Sequence, residues 1–274
     1  MKITYYGTSG SEAWPALFCG CRACMLAKQY GGKNVRTRNQ AKIDDTLLLD
    51  FPPDTCEHVQ RQGLELGRIR SLLVTHSHHD HFFPHDLCMR SSNYAEGTGD
   101  WKLQVYGNPT VGRIFEETVR QYENAEDFLE FHVLVPFEHC TTVDGYRVTA
   151  LAADHNPPEQ SLLYLIEKGE KSILYAHDTG IFPEHTWEYL RGKHLDCVSL
   201  DCTGLIRDWR QGHMGFTAVD ETTMRLTDMG CIDGKTTVIL SHFAHYGDFT
   251  HQKICEAEEP KGYHVAYDSA VFEF

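Results

Sequence analysis

The sequence predicts an α/β fold: one domain of two β-sheets packed together, with helices covering the outer faces. Three observations carry this reading. Apolar runs of strand length recur along the whole chain. Segments with helical spacing fall between them in both halves. No Pro/Ser-rich linker or low-complexity tract divides the 274 residues, a length that can bury a substantial core as one unit, 1–274.

In chain order, strands are expected at Ile3–Tyr6, Thr46–Asp50, Ile69–Thr75, Leu103–Tyr106 and Arg147–Ala152. Ser161–Glu167 and Ile173–Ala176 flank Lys168-Gly169-Glu170-Lys171, a polar, glycine-bearing link suited to a hairpin turn. Cys197–Asp201, Thr237–Ser241 and His264–Asp268 complete the strand signals. Helical spacing is clearest at Val111–Tyr122, where Val111, Ile114, Phe115, Val119 and Tyr122 share one face. Pro183–Arg191 and Thr217–Met229 also read as helices. Thr217 or Asp220 would cap the second of these, and Gly230 would follow its end.

Composition narrows the function classes. Apolar residues make up 41% and charged residues 23%, the balance of an ordinary globular protein. The formal charge of −14 opposes a broad electrostatic grip on long DNA or RNA. A small anionic substrate remains compatible if bound cations invert the local field. Met1–Gly7 lacks the basic and apolar regions of a signal peptide, and no apolar run approaches the ~20 residues of a membrane helix. Seven of the ten cysteines are scattered, several in strand-like surroundings, which favours reduced, buried thiols and a cytoplasmic protein.

The chemistry concentrates in His76-Ser77-His78-His79-Asp80-His81, directly after the apolar run Ile69–Val74. Imidazoles and a carboxylate crowded at a strand end raise one another's desolvation cost, and a divalent cation turns that cost into coordination. Three isolated residues occupy comparable places: His155 after Val148–Ala153, Asp178 after Ile173–Ala176, and His242 after Thr237–Ser241. Their joint occurrence with H-x-H-x-D-H is the signal; each alone reads as a polar cap.

On these residues the chain resembles the metallo-β-lactamase-fold hydrolases. Thr75–His81 matches their T-H-x-H-x-D-H motif, and His155, Asp178 and His242 follow in order. The resemblance implies a four-layer αββα sandwich and two active-site metals, zinc or manganese, about 3.5–4 Å apart. His76, His78 and His155 would hold the first metal. Asp80, His81 and His242 would hold the second, with Asp178 between them. A hydroxide shared by the metals would be the nucleophile, hydrogen-bonded by Asp80. His79 falls at the variable position, and His85 is a surplus histidine.

Cys19-Gly20-Cys21-Arg22-Ala23-Cys24 packs three thiols into six residues, a set that needs one further ligand to close a tetrahedral zinc shell. This loop, 19–24, resembles the one in the PhnP-like phosphodiesterases, whose fourth ligand is a histidine three residues after the last catalytic one. That position here is His245. His213, in Gln211–Gly215, corresponds to a histidine of these relatives that contacts substrate phosphate or protonates the leaving group. It is also the competing candidate for the fourth zinc ligand. Met25–Ile43 holds five cations and no acid. It reads as a solvated loop, with Arg36 and Arg38 as candidate phosphate contacts.

The expected function is metal-dependent hydrolysis of small cyclic phosphates or nucleotide-like diesters. The expected partner is thus a small phosphorylated molecule, with no long nucleic acid, no membrane, and a homodimer allowed. Three alternatives stand beside it. A tRNA 3′-processing nuclease uses the same ligands, but it would carry a long basic arm that the sequence lacks. A thioesterase or lactonase of the same fold is the second. A metal-stabilised binding protein is the third, opposed by an intact set of catalytic ligands.

Overall fold

The computed structural model describes all 274 residues. Strands β1 (Lys2–Gly7), β2 (Gln40–Ile43), β3 (Leu47–Leu49), β4 (Ser71–Leu73), β5 (Leu103–Gly107) and β6 (Leu129–Val133) build the first sheet. Strands β7 (His139–Thr141), β8 (Arg147–Ala152), β9 (Leu162–Lys168), β10 (Lys171–Ala176), β11 (Cys197–Asp201), β12 (Thr237–Ser241) and β13 (His264–Val265) build the second. β14 (Val271–Glu273) returns to the first sheet and pairs antiparallel with β1. The spatial orders are β14-β1-β2-β3-β4-β5-β6 and β13-β12-β11-β10-β9-β8-β7.

Seven helices cover the outer faces: α1 (Arg22–Tyr30), α2 (Thr55–Gln62), α3 (Pro84–Leu87), α4 (Pro109–Val119), α5 (Glu184–Leu190), α6 (Phe216–Asp228) and α7 (His251–Glu258). Strand alternation explains the layering. Leu47, Leu49 and Leu73 enter the core between the sheets, while Leu48 and Leu72 enter the core beneath α4. In the second sheet, Val198 and Leu200 face a third core that includes Trp187, Val219 and Ile254 from α5, α6 and α7. Three apolar cores separating four layers are the expected αββα sandwich.

The hairpin turn at Lys168–Lys171 pairs β9 with β10, Lys168 opposite Lys171. Gly230, at φ 71°, follows the end of α6 as expected, but the helix starts at Phe216 with Gly215 at its cap instead of Thr217 or Asp220. Three expected strands shorten, to Leu47–Leu49, Ser71–Leu73 and His264–Val265, while others match or lengthen, as Ile3–Tyr6 does to Lys2–Gly7.

The solvated-loop reading of Met25–Ile43 is corrected. Its first residues belong to α1, its last are β2, and Arg36 is 1% exposed. Arg36 donates to Thr8 Oγ1 (2.8 Å), the Ala266 carbonyl (2.7 Å) and His251 Nδ1 (3.0 Å). Arg38 donates to the Ser11 carbonyl (2.8 Å) and Asp54 (2.9 Å). Both guanidinium groups are engaged within the protein, Arg36 through its two terminal nitrogens, and Arg36 is out of reach of any substrate. No helix is long and apolar enough to cross a membrane.

Candidate metal centre

The candidate ligands stand just beyond the ends of β4, β8, β10 and β12, along one rim shared by both sheets. A chain leaving a strand must turn sharply to aim a side chain along that rim. Asp50, Asp178 and His242 do so with left-handed backbone, at φ 61°, 51° and 60°. Such residues cost about 1–3 kcal/mol each and persist where surrounding structure enforces them. Around His242 the enforcement is visible. Thr8 accepts from the Phe243 N–H, and the Gly10 N–H and Ser9 hydroxyl donate back to the Phe243 carbonyl. A Cβ on Gly10 would stand 3.3 Å from the His242 ring.

Asp178 lies at the middle of the cluster. Its Oδ1 faces His155 Nε2 (3.5 Å) and His76 Nε2 (4.0 Å). Its Oδ2 faces His81 Nε2 and His242 Nε2, both at 2.9 Å. His78 Nδ1 is 3.3 Å from His155 Nε2, and Asp80 Oδ2 is 3.3 Å from His81 Nε2. Ligand atoms of His76, His78 and His155 lie within 4.8 Å of one another, as do those of Asp80, His81 and His242. The seven residues expected together are together. His79 is exposed, and His85 bonds the Tyr122 hydroxyl instead.

Four imidazoles are held from behind through their other nitrogen. His76 Nδ1 is 3.1 Å from Thr75 Oγ1, and His81 Nδ1 is 2.8 Å from Asp50. His155 Nδ1 donates to the Gly212 carbonyl (2.9 Å), and His242 Nδ1 is 2.8 Å from Thr203 Oγ1. Each contact leaves a bare Nε2 lone pair facing the centre. His76 Nε2 and Asp178 Oδ2 are buried without an aligned hydrogen-bond partner, although Oδ2 has two imidazole nitrogens at 2.9 Å. Proximity without alignment is what converging lone pairs give. The donor set, nitrogen and carboxylate oxygen, suits two divalent cations of the zinc or manganese kind.

The carboxylates set a field that favours positive charge at this centre. Burial opposes charge on His81, yet Asp178, Asp50 and Asp80 outweigh it and raise its pKa well above the usual imidazole value. Burial drives His76 the other way, well below it. His213 stands beside this centre: its ligand nitrogen is within 4.8 Å of those of His155 and Asp178. His213 Nδ1 donates to Asp201 Oδ2 at 2.9 Å, and this buried carboxylate overcomes desolvation to push His213 up to about 9.

Cys19, Cys21 and Cys24 gather with His245, all four ligand atoms within 4.8 Å, and His245 Nδ1 is 3.3 Å from Cys21 Sγ. His213 belongs to the other cluster. All ten cysteines are free thiols; five are buried and Cys56 is exposed.

Of the groups behind the imidazoles, the sequence reading did not single out Asp50, Asp201 and Thr203, and it named Thr75 only as the first residue of the motif. Asp201 accepts from the Thr203, Met214 and Asp178 backbone N–H groups as well as from His213.

A profile of the beta-lactamase superfamily domain matches residues 46–243. The chain belongs to that superfamily. Among its members, zinc phosphodiesterase ELAC protein 1 of Bos taurus is 25% identical over 185 residues, covering 65% of this chain and 46% of its own. Ribonuclease Z of Staphylococcus saprophyticus is 21% identical over 187 residues, covering 67% and 56%. The chain thus spans about half the length of these curated relatives. A diphosphatase of the PhnP family superposes with TM-score 0.73 at 21% identity, covering 100% of this chain and 98% of that one. Zinc-bound PqqB of Methylobacterium extorquens gives 0.77 at 17%, each chain fully covered. At these identities the superpositions establish the superfamily's fold.

Proposed function

We propose that this protein is a dinuclear metal-dependent phosphodiesterase acting on small phosphate diesters. One observation carries the reading: Asp178 turns one oxygen to His76 and His155 and the other to His81 and His242. His76, His78 and His155 would hold one ion; Asp80, His81 and His242 would hold the other. Bound there, two dications would supply Lewis acidity for a phosphoryl group and its attacking water.

The chain's residues supply the rest. Asp80, buried at the rim, would accept a hydrogen bond from the attacking hydroxide and aim its oxygen at phosphorus. As the P–O bond to the alkoxide breaks, His213 gives that oxygen a proton. Asp201 fixes the ring by accepting from Nδ1, which leaves Nε2 as the donor. Gly212 sets His155 through its carbonyl, so the segment carrying His213 also orients a ligand. The cluster of Cys19, Cys21, Cys24 and His245 would bind a structural zinc, since a closed four-ligand shell leaves no position for substrate.

A second reading, tRNA 3′ processing, draws support from the relatives named ribonuclease Z. The net charge of −14 weighs against it. The test is hydrolysis of bis(p-nitrophenyl) phosphate beside cleavage of a precursor tRNA. Diester hydrolysis should vanish on chelation and return with zinc or manganese. Absence of turnover with both metals bound would exclude the phosphodiesterase, and cleavage of the tRNA alone would favour the second reading.

A further inference from the structure

The segment between β11 and α6 leads away from His213 into an aromatic corner that the proposed chemistry does not use. Trp209 lies 6.3 Å from the His213 ring, centroid to centroid, at an interplanar angle of 32°. Tyr246 meets Trp209 edge-on, at 5.2 Å and 73°. Arg207 lays its guanidinium 4.3 Å over the Tyr246 ring. The neighbouring acid, Asp208, is taken by Arg210, which also pairs with Glu221. In a chain with 39 acids against 25 basic residues, Arg207 is thus an exposed cation kept on an aromatic face.

The corner is built. The Trp209 N–H donates to the Arg207 carbonyl at 2.8 Å, and the Trp209 carbonyl accepts from Gly215 at 3.2 Å. A Cβ on Gly215 would fall 1.8 Å from the Arg207 carbonyl oxygen, so glycine is required for this close approach. Tyr246 directly follows His245 and stacks on it at 6.0 Å. The two rings are therefore anchored to different clusters, Trp209 beside His213 and Tyr246 beside His245.

We infer that Trp209, Tyr246 and Arg207 form a base-recognition subsite, and that the preferred diesters carry a nucleobase. This rests on the phosphodiesterase reading and on His213 facing the departing oxygen, which puts the alcohol half of the substrate beside Trp209. Trp209 is half-buried, and its edge-to-face contact with Tyr246 holds it in place, so the open part of the indole is a fixed platform on which a flat heterocycle can stack. A guanidinium beside them adds attraction to an electron-rich ring and donors for its edge.

The experiment compares the metal-loaded enzyme on adenosine 2′,3′-cyclic phosphate and on methyl riboside 2,3-cyclic phosphate, which differ in the base alone. Wild type should prefer the first by about ten- to a hundredfold in kcat/KM, carried mainly by KM. Trp209→Ala should collapse the ratio towards one, and Trp209→Phe should restore most of it. A wild type without preference, or a Trp209→Ala enzyme that keeps it, overturns the subsite. Turnover of neither diester would count against the phosphodiesterase reading itself. Calorimetry on the metal-loaded wild type then decides the corner separately. AMP binding about tenfold or more tighter than ribose 5-phosphate supports it, and equal affinities overturn it.

Discussion

Asp178 concentrates the energetics of the centre in one residue. It is buried, holds left-handed backbone, and meets imidazole nitrogens through both oxygens. Asparagine tolerates that backbone and keeps the shape, but it removes the charge that faces both ligand sets. Asp178→Asn is therefore expected to lower kcat for bis(p-nitrophenyl) phosphate by on the order of a thousandfold, with circular dichroism unchanged. Asp178→Ala should lose as much and also unfold at a lower temperature, since alanine is strained at φ 51°. Near-normal turnover by either variant with two metals bound would show that this carboxylate does not span the site. The same scale shows what sequence reasoning passed over. Asp50 and Asp201 each close an apolar strand run, the same signal that singled out Asp178. Nothing local distinguishes an aspartate that faces the centre from one that stands behind a histidine; only the assembled rim does.

At the scale of elements, the long buried strands were legible because both their faces are covered and their apolar runs are nearly continuous. β6, β7 and β14 were not, because edge or near-edge positions leave residues such as Glu130, His139 and Val271 exposed and shorten the pattern. β2 escaped for another reason: its buried Gln40 is polar and is satisfied by the Asp50 carbonyl and Thr55. α1 was hidden in a stretch rich in cations, and its start at Arg22 follows the cysteine loop directly. That adjacency makes a prediction. Cys24 lies within α1 and His245 just past β12, so zinc bound there would pin the helix to the strand end carrying His242. Cys21→Ser should lose about one zinc per chain and lower Tm by on the order of 5–10 °C, while folded enzyme retains most of its kcat. Unchanged zinc content by elemental analysis would remove this role.

For the whole molecule, acid sensitivity has a source outside the candidate metal ligands. His58 on α2 is fully buried, with Nδ1 2.6 Å from Gln40 Oε1 and Nε2 2.8 Å from Thr37 Oγ1. Burial lowers its pKa from 6.5 to about 4. Between those values the unfolded chain binds the proton that the folded one refuses, so stability rises with pH across the window and falls as pH drops through it. The contribution lost between pH 8 and pH 5 is on the order of 2 kcal/mol. Urea unfolding of the wild type and of His58→Asn at both pH values isolates it. The variant should be weaker at pH 8 and show a smaller drop at pH 5; parallel drops would place the acid sensitivity elsewhere. Here the sequence reading passed over both His58 and the short helix that carries it, because nothing local shows that Gln40, Thr37 and Tyr6 close over the ring.

The rim draws its ligands from both sheets, and His81 precedes His242 by 161 positions. A ribosome adding about 5–20 residues per second releases the first of these some eight to thirty seconds before the second. Until His155 and Asp178 emerge, the nascent chain offers three histidines and an aspartate of the rim alone, and the set that includes Asp80 and His81 waits for His242. A metal that needs ligands from both sheets would be selected only once the second sheet docks. It would be the ion available where folding finishes, not where translation starts.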